Sequence, residues 1–320
     1  MSKRRINKQQ SDRIEKKQQS YHEPASEYNT SINEGLVLTC FGRHALVEDA
    51  NKHTMHCSIR ANLATLVAGD RVLWQAEGAQ QGVIVSLSPR TSVLGRPDKH
   101  GSIRPVAANI TQLMIVVAPK PLISWPLLDS YLIIAEHLNL NACIVLNKTD
   151  LGIADIEMPL SHYQSLGYTV LHTSFSKPQS YKALLAALNH ETSVFVGQSG
   201  VGKSSLIAKI LPEETNIQTA SISQVELGRH TTSNSYFYHL PSGGALIDSP
   251  GVREFGLWHM PAAEIAKGYR EFRPYLSQCK FRNCNHQNTP DCALIEAVKQ
   301  GEIQRDRYHN YVKISSQFAK

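Results

Sequence analysis

Three stretches of this 320-residue chain carry the residue types of nucleotide chemistry, and a fourth carries those of a metal centre. The first is G-Q-S-G-V-G-K-S, Gly197 to Ser204, which follows the apolar run S-V-F-V and opens a run with helical patterning. Backbone N–H groups from Gly197, Gln198, Ser199, Gly200, Val201 and Gly202 can wrap phosphate oxygens. Lys203 reaches the β/γ oxygens and the Ser204 hydroxyl ligates Mg²⁺. Ser205 follows in the first helical turn, where the helix N-terminus favours an anion. The second stretch is N-K-T-D, Asn147 to Asp150, at the end of the apolar run A-C-I-V-L. Asn147 can pair with the O6/N7 edge of guanine, and Asp150 can accept from its N1–H and exocyclic amine. Lys148 and Thr149 complete the loop. The third is D-S-P-G, in which Asp248 can hold Mg²⁺ through water and the Gly251 N–H can contact a γ-phosphate.

A segment between the phosphate loop and D-S-P-G, G-R-H-T-T (Gly228 to Thr232), lies in a long irregular stretch. Either Thr231 or Thr232 can close over Mg²⁺ and the γ-phosphate in the triphosphate state and release after hydrolysis. The order of these parts is unusual. A guanine reader ordinarily comes after the phosphate loop; here Asn147–Asp150 precedes Gly197–Ser204 by one βαβ unit, with a weaker base-loop candidate, Thr173 and Ser174, between them. A sheet tolerates such an order if the old termini are joined and the chain is opened elsewhere, because termini in compact domains often lie close together. The arrangement reads as a circularly permuted GTPase.

The fourth stretch gives Cys279, Cys284, His286 and Cys292, spaced C-x₄-C-x-H-x₅-C. Four N/S ligands in so short a segment suit a closed tetrahedral Zn²⁺ site with a structural role, since no coordination position stays open for substrate. The cluster presents Lys280, Arg282 and Asn283 to RNA. The other cysteines (Cys40, Cys57, Cys143) sit in apolar, strand-like contexts and read as core thiols.

These groups need elements to hold them. Apolar runs at 111–119, 142–146, 168–172 and 193–196 alternate with helical patterns at 126–139, around 159–166 and at 180–190. Continuous apolar strands between helices predict a mainly parallel sheet covered on both faces. A strand pair at 235–240 and 244–248 closes this region. Upstream, about five short β-patterned runs predict a small antiparallel barrel, of the oligonucleotide-binding (OB) or the SH3-like type. Downstream, 261–273 and 292–318 have helical patterning broken by Gly301, and Tyr308 and Tyr311 are set for packing. Phe41 and Trp74 in the barrel are candidates for base stacking or for core packing. The chain therefore divides into a basic, disordered arm (1–34), an OB-type barrel (35–96), a central α/β permuted P-loop GTPase domain (97–256) and a helical zinc-binding domain (257–320).

Composition fits this plan. The chain is 42% hydrophobic and 19% charged, with a net charge of +6. Residues 1–17 hold seven Lys/Arg against Asp12 and Glu15, which is +5, so the rest is close to neutral. A Gln-rich basic leader buries too little apolar surface to fold alone and suits an arm that meets nucleic-acid phosphate. With no apolar run near the roughly 18–20 residues of a membrane span and no secretory leader, the expectation is a cytoplasmic protein without membrane contact.

Taken together, N-K-T-D, G-Q-S-G-V-G-K-S-S, G-R-H-T-T and D-S-P-G-V-R-E-F-G-L-W resemble the RsgA/YjeQ family of circularly permuted, ribosome small subunit-dependent GTPases, from about residue 35 to the C-terminus. The resemblance implies a GTPase that binds the small ribosomal subunit and its rRNA, hydrolyses GTP to GDP and phosphate during late maturation, and is stimulated by that particle. It implies Mg²⁺, one structural Zn²⁺ and a monomer. Two departures are Ser233, where many members have a third Thr, and H-T-S-F at 172–175 in place of a Ser-Ala base loop. Val252 occupies the position where Ras-like enzymes carry a water-orienting Gln, so unaided hydrolysis is expected to be slow. His230, at a place where the family has a His, is the candidate to orient the water; rRNA is the other. Two further classes are a nucleotide sensor that binds RNA with little turnover and a P-loop kinase or ATPase. Stimulated turnover separates the first and guanine preference the second.

Overall fold

The computed structural model describes residues 32–97, 102–211, 235–249 and 260–318. Most of the basic arm, His230, Thr231, Thr232 and Gly251 lie outside the described residues. β1 (Ile32–Phe41), β2 (His44–Glu48), β3 (Thr54–Ile59), β4 (Arg71–Gly78) and β5 (Gln81–Leu87) close on one another in the order 1-2-3-5-4-1. Every pairing is antiparallel except β3 with β5. That connectivity is the OB type and decides between the two barrels that strand patterning allows. Ile32–Glu34, allotted to the arm from sequence, already pair with Gln75, Trp74 and Leu73 of β4.

The barrel interior holds Val37, Ala45, Val47, Cys57, Trp74 and Ile84. Trp74 is 2% exposed, so of its two readings core packing stands and base stacking does not. Phe41 stays half-buried and stacks on His44. β1 is buried on both faces. Val37 points into the barrel, while Leu36 and Leu38 join the core beneath the second sheet. The barrel is thus seated on the second sheet and its helices by shared apolar packing.

β6 (Val93–Pro97) and β7 (Ile103–Ala108) form a separate hairpin across the boundary drawn from sequence at residue 96. Gly95, Pro97 and Pro105 weaken its local strand signal. Burial of Leu94 and Ala107 in the main core holds it in place.

The second sheet contains β8 (Gln112–Val117), β9 (Asn141–Leu146), β10 (Thr169–His172), β11 (Thr192–Val196), β12 (Tyr236–His239) and β13 (Ala245–Asp248). Its order is β10-β9-β8-β11-β13-β12, parallel except for β12, and it meets the barrel where Tyr236 pairs with Thr39. β8 shows why its sequence is continuously apolar. Leu113, Ile115 and Val117 face α1 (Trp125–His137) and α2 (Ala154–Ser165); Met114 and Val116 face α3 (Tyr181–Leu188) and α4 (Lys203–Ile210). α2 starts before the position read from sequence. Pro159 sits inside the helix at the cost of one N–H donor, and the Ile153 carbonyl accepts from Ile156 and Glu157 to start it.

The C-terminal lobe comprises α5 (Ala262–Lys267), α6 (Arg273–Leu276), α7 (Ala293–Gln300) and α8 (Arg305–Phe318). The helix expected over 261–273 is broken after Lys267 and resumes as a 3₁₀ turn at Arg270–Phe272 and then α6. Tyr269 and Phe272 stack at 4.4 Å, both edge-on to the buried Tyr311 ring. Gly301 ends α7 in the left-handed region, φ 81°. Among the described residues no helix is long and apolar enough to cross a membrane.

Candidate functional site

Parallel pairing brings the carboxyl ends of β8, β9, β11 and β13 to one edge, the place where open α/β sheets bind ligands. Val117 lies beside Leu146, Val196 beside Ile115, and Val194 beside Ile247. The loops that begin at Ala118, Asn147, Gly197 and Ser249 therefore emerge together. Residues far apart in the chain become neighbours across β8.

The phosphate loop depends on two glycines. Gly197 has φ 139°, and a Cβ there would lie 2.2 Å from the Val116 carbonyl oxygen. Gly202 has φ 99°, and its Cβ would lie 2.4 Å from Asn147 Nδ2. No L side chain fits either position without moving its neighbour. Lys203 folds back so that its ammonium donates to the carbonyls of Gly197 and Gln198, each at 2.6 Å. Ser199, Ser204 and Ser205 are exposed at the mouth of the loop, while Val201 is buried and anchors it.

The N-K-T-D segment is built against this loop. Asn147 is fully buried; its Nδ2 donates to the Val201 carbonyl at 3.0 Å and its Oδ1 accepts from Thr173 Oγ1 at 3.0 Å. One amide N–H remains for a base edge, so Asn147 is a clamp between two loops as well as a candidate reader. Lys148, in the left-handed region at φ 59°, donates to the Gly200 carbonyl at 2.6 Å and to the Lys120 carbonyl at 3.2 Å. Thr149 donates its backbone N–H and its hydroxyl to the Thr173 carbonyl. Asp150 is exposed and accepts from the Ser174 hydroxyl. That hydrogen bond, helped by Lys177 and Lys148, holds the Asp150 carboxyl below the usual carboxylate range. The group is ionised at neutral pH and can accept two N–H donors in its plane.

Thr173 thus bonds to Asn147, and Ser174 to Asp150, the two candidate base readers. Their sequence, H-T-S-F, is a weak signal because the departure from Ser-Ala leaves the hydroxyls in place but not the pattern. Asp248 ends β13 next to β11 and the loop, and Ser249 accepts from the Ser235 hydroxyl at 2.7 Å. Residues 212–234 and 250–259 lie outside the described residues.

The four metal-type ligands converge in the C-terminal lobe. Their ligand atoms all lie within 4.8 Å of one another. Cys279 Sγ is 3.4 Å from His286 Nδ1 and 3.9 Å from Cys292 Sγ, and Cys292 Sγ is 3.7 Å from His286 Nδ1. A tetrahedral zinc with ordinary Zn–S and Zn–N bonds requires separations of about 3.5–3.8 Å, close to those among Cys279, His286 and Cys292; Cys284 completes a donor set that lies within 4.8 Å. The surrounding loop is fixed from α8: Tyr308 donates to the His286 carbonyl at 3.0 Å and Tyr311 to the Asn285 carbonyl at 3.1 Å. Both tyrosines therefore pack and brace. Lys280 pairs with Asp291 at 2.7 Å, so its charge is partly used within the lobe. The remaining cysteines are free thiols; burial pushes Cys57 up to about 11 and Cys143 to about 12, which keeps both protonated and inert.

Comparison with known proteins agrees with this fold. The family model described as RsgA GTPase matches residues 87–258. The chain is 44% identical to small ribosomal subunit biogenesis GTPase RsgA 1 of Vibrio parahaemolyticus over 97% of its own length and 91% of that protein. It is 47% identical to small ribosomal subunit biogenesis GTPase RsgA of Actinobacillus succinogenes over 88% of its length and 84% of that protein. Among solved structures, it superposes on YloQ, described as a circularly permuted GTPase, with a TM-score of 0.72 at 28% identity, covering 92% of this chain and 98% of that one. For YjeQ of Thermotoga maritima the TM-score is 0.74 at 29% identity, covering 90% and 99%.

Proposed function

Because the chain belongs to the RsgA family of circularly permuted GTPases, we propose that it hydrolyses GTP to GDP and phosphate in biogenesis of the small ribosomal subunit, stimulated by that particle. The observation that carries the reading is the clamp of Asn147 on the phosphate loop. A guanine reader and a phosphate cradle joined by a buried hydrogen bond make one site from segments whose order in the chain is reversed.

In that site Asp150 accepts from the guanine N1–H and amine, and the free Asn147 N–H meets the base edge. The backbone of Gly197–Gly202 wraps the phosphates, and Lys203 exchanges its loop carbonyls for β/γ oxygens. Ser204, one of Thr231 or Thr232, and Asp248 are the residues that would hold Mg²⁺, which would supply charge neutralisation at the phosphates. The Gly251 N–H contacts the γ-phosphate. With Val252 unable to orient water, His230 takes that role when the subunit is bound. Cys279, Cys284, His286 and Cys292 would hold one structural zinc, which would fix the loop that carries Arg282 and Asn283 toward rRNA. The barrel face around Phe41 and the basic arm supply further rRNA contacts. The protein acts as a cytoplasmic monomer.

The test is GTP turnover by full-length protein with and without purified small subunits, for wild type and His230→Ala. Strong stimulation of wild type, lost in the variant with GTP binding retained, is expected. Tight GTP binding with no stimulated turnover would instead make the protein a nucleotide sensor.

A further inference from the structure

Helix α1 touches both the phosphate loop and the C-terminal lobe, and it does so with opposite faces. At 100° per residue, Asp129 and Glu136 are about 20° apart around the axis and Ile133 is about 40° from Asp129, whereas Tyr131 is rotated about 200° from it. The first three residues face the lobe. Asp129, with no exposed surface, accepts from Arg307 of α8, from Asn310 at 2.8 Å and from Tyr163 at 2.7 Å. Arg307 is 3% exposed and also donates to Glu271 at 2.6 Å. Glu136 accepts from Arg270 and from Arg273, each at 2.6 Å. Between these anchors the lobe's backbone comes into contact with α1: a Cβ at Gly268 would lie 2.6 Å from an Ile133 methyl.

The opposite face and the N-terminus of α1 meet the phosphate loop. The Ser124 N–H donates to Gln198 Oε1 at 3.0 Å. The Gly197 N–H lies against the Tyr131 hydroxyl. A packed helix moves as a unit, so a side chain fixed on one face limits where the other can sit.

Resting on the GTPase reading above, we propose that α1 is a strut between the C-terminal lobe and the phosphate loop, with Asp129 and Glu136 as positioning residues for nucleotide binding. Neither carboxylate touches the nucleotide cradle. Each holds α1 to the lobe, and α1 holds Gln198 and Gly197. A load placed on the lobe by a bound partner is then felt where the phosphates sit. Such couplings between sites change affinity by roughly 5- to 150-fold.

The experiment is calorimetric titration of GDP into full-length, zinc-replete protein, with the thermal midpoint measured alongside. Glu136→Gln keeps the shape of a partly exposed anchor, and Asp129→Asn does so for the buried one. Each should raise the GDP dissociation constant about tenfold in folded protein. Tyr131→Phe perturbs the other end, and combined with Glu136→Gln it should weaken binding by less than the product of the two single effects. Tyr275→Phe removes a hydrogen bond to Glu302 within the lobe without touching α1, and it should bind GDP like wild type. If Asp129→Asn does not fold, Glu136→Gln decides. Wild-type affinity in Glu136→Gln with only a lowered midpoint would overturn the strut, as would equal weakening by Tyr275→Phe. Failure of the wild type itself to bind GDP would overturn the underlying GTPase reading, which is a distinguishable result.

Discussion

Thr173→Val isolates one buried hydrogen bond that the nucleotide site depends on. Thr173 and Asn147 are both fully buried, and the Thr173 hydroxyl donates to Asn147 Oδ1 at 3.0 Å. Valine keeps the β-branched shape and removes only the donor. The Asn147 carbonyl then has no partner, which costs about 1–3 kcal/mol. Asn147 can relieve that cost only by turning, and turning breaks its bond to the Val201 carbonyl and moves its remaining N–H off the base edge. The lower half of that range, expressed in binding, raises the GDP dissociation constant about tenfold. Titration calorimetry on Thr173→Val checks it, with Thr169→Val, an exposed threonine of β10, as control. Unchanged affinity and an unchanged thermal midpoint in Thr173→Val would refute the clamp.

Three further outcomes are expected from the same geometry. Asp150→Asn replaces an ionised acceptor by an amide that presents a donor, so GTP binding should weaken by at least about tenfold while xanthosine triphosphate binding improves, as read by competition binding. Native, reduced protein should carry about one equivalent of zinc per chain, and Cys292→Ser should lose it and lower the midpoint of the C-terminal lobe; metal analysis and calorimetry read both. His162 is held below its ordinary 6.5 by burial, with Arg307 adding to the effect and Glu271 and Asp129 opposing it. The unfolded chain takes up that proton first, so the histidine contributes stability above 6.5 that is lost as pH falls through 6.5 toward the folded value. Wild type should therefore lose more stability than His162→Gln between about pH 7 and 5 in urea titrations.

The candidate chemistry of this protein is readable locally because its motifs are local. Phosphate wrapping needs consecutive backbone N–H groups, so glycines, Lys203 and Ser204 must be adjacent in sequence. A closed zinc site in a short loop needs its four ligands within a few residues, as Cys279–Cys292 are. The alternation of apolar strands and helices likewise predicted a parallel sheet, because both faces of β8 are buried. Sequence order alone placed the reader ahead of the loop and so implied the permutation.

Other features depend on partners far away in the chain. The OB rather than SH3-like barrel comes from the parallel pairing of β3 with β5, which no run of residues encodes by itself. The β6–β7 hairpin exists because Leu94 and Ala107 find a core supplied by other elements, against weak strand propensity. Thr173 and Ser174 matter through the residues they bond to, not through their own pattern. Asp129 reads as an ordinary polar residue of an amphipathic helix; only packing against α8 buries it and brings Arg307 within reach. The sequence determined which groups can do chemistry. The tertiary structure decided which of them are held together, because burial and hydrogen-bond geometry arise only when distant segments meet.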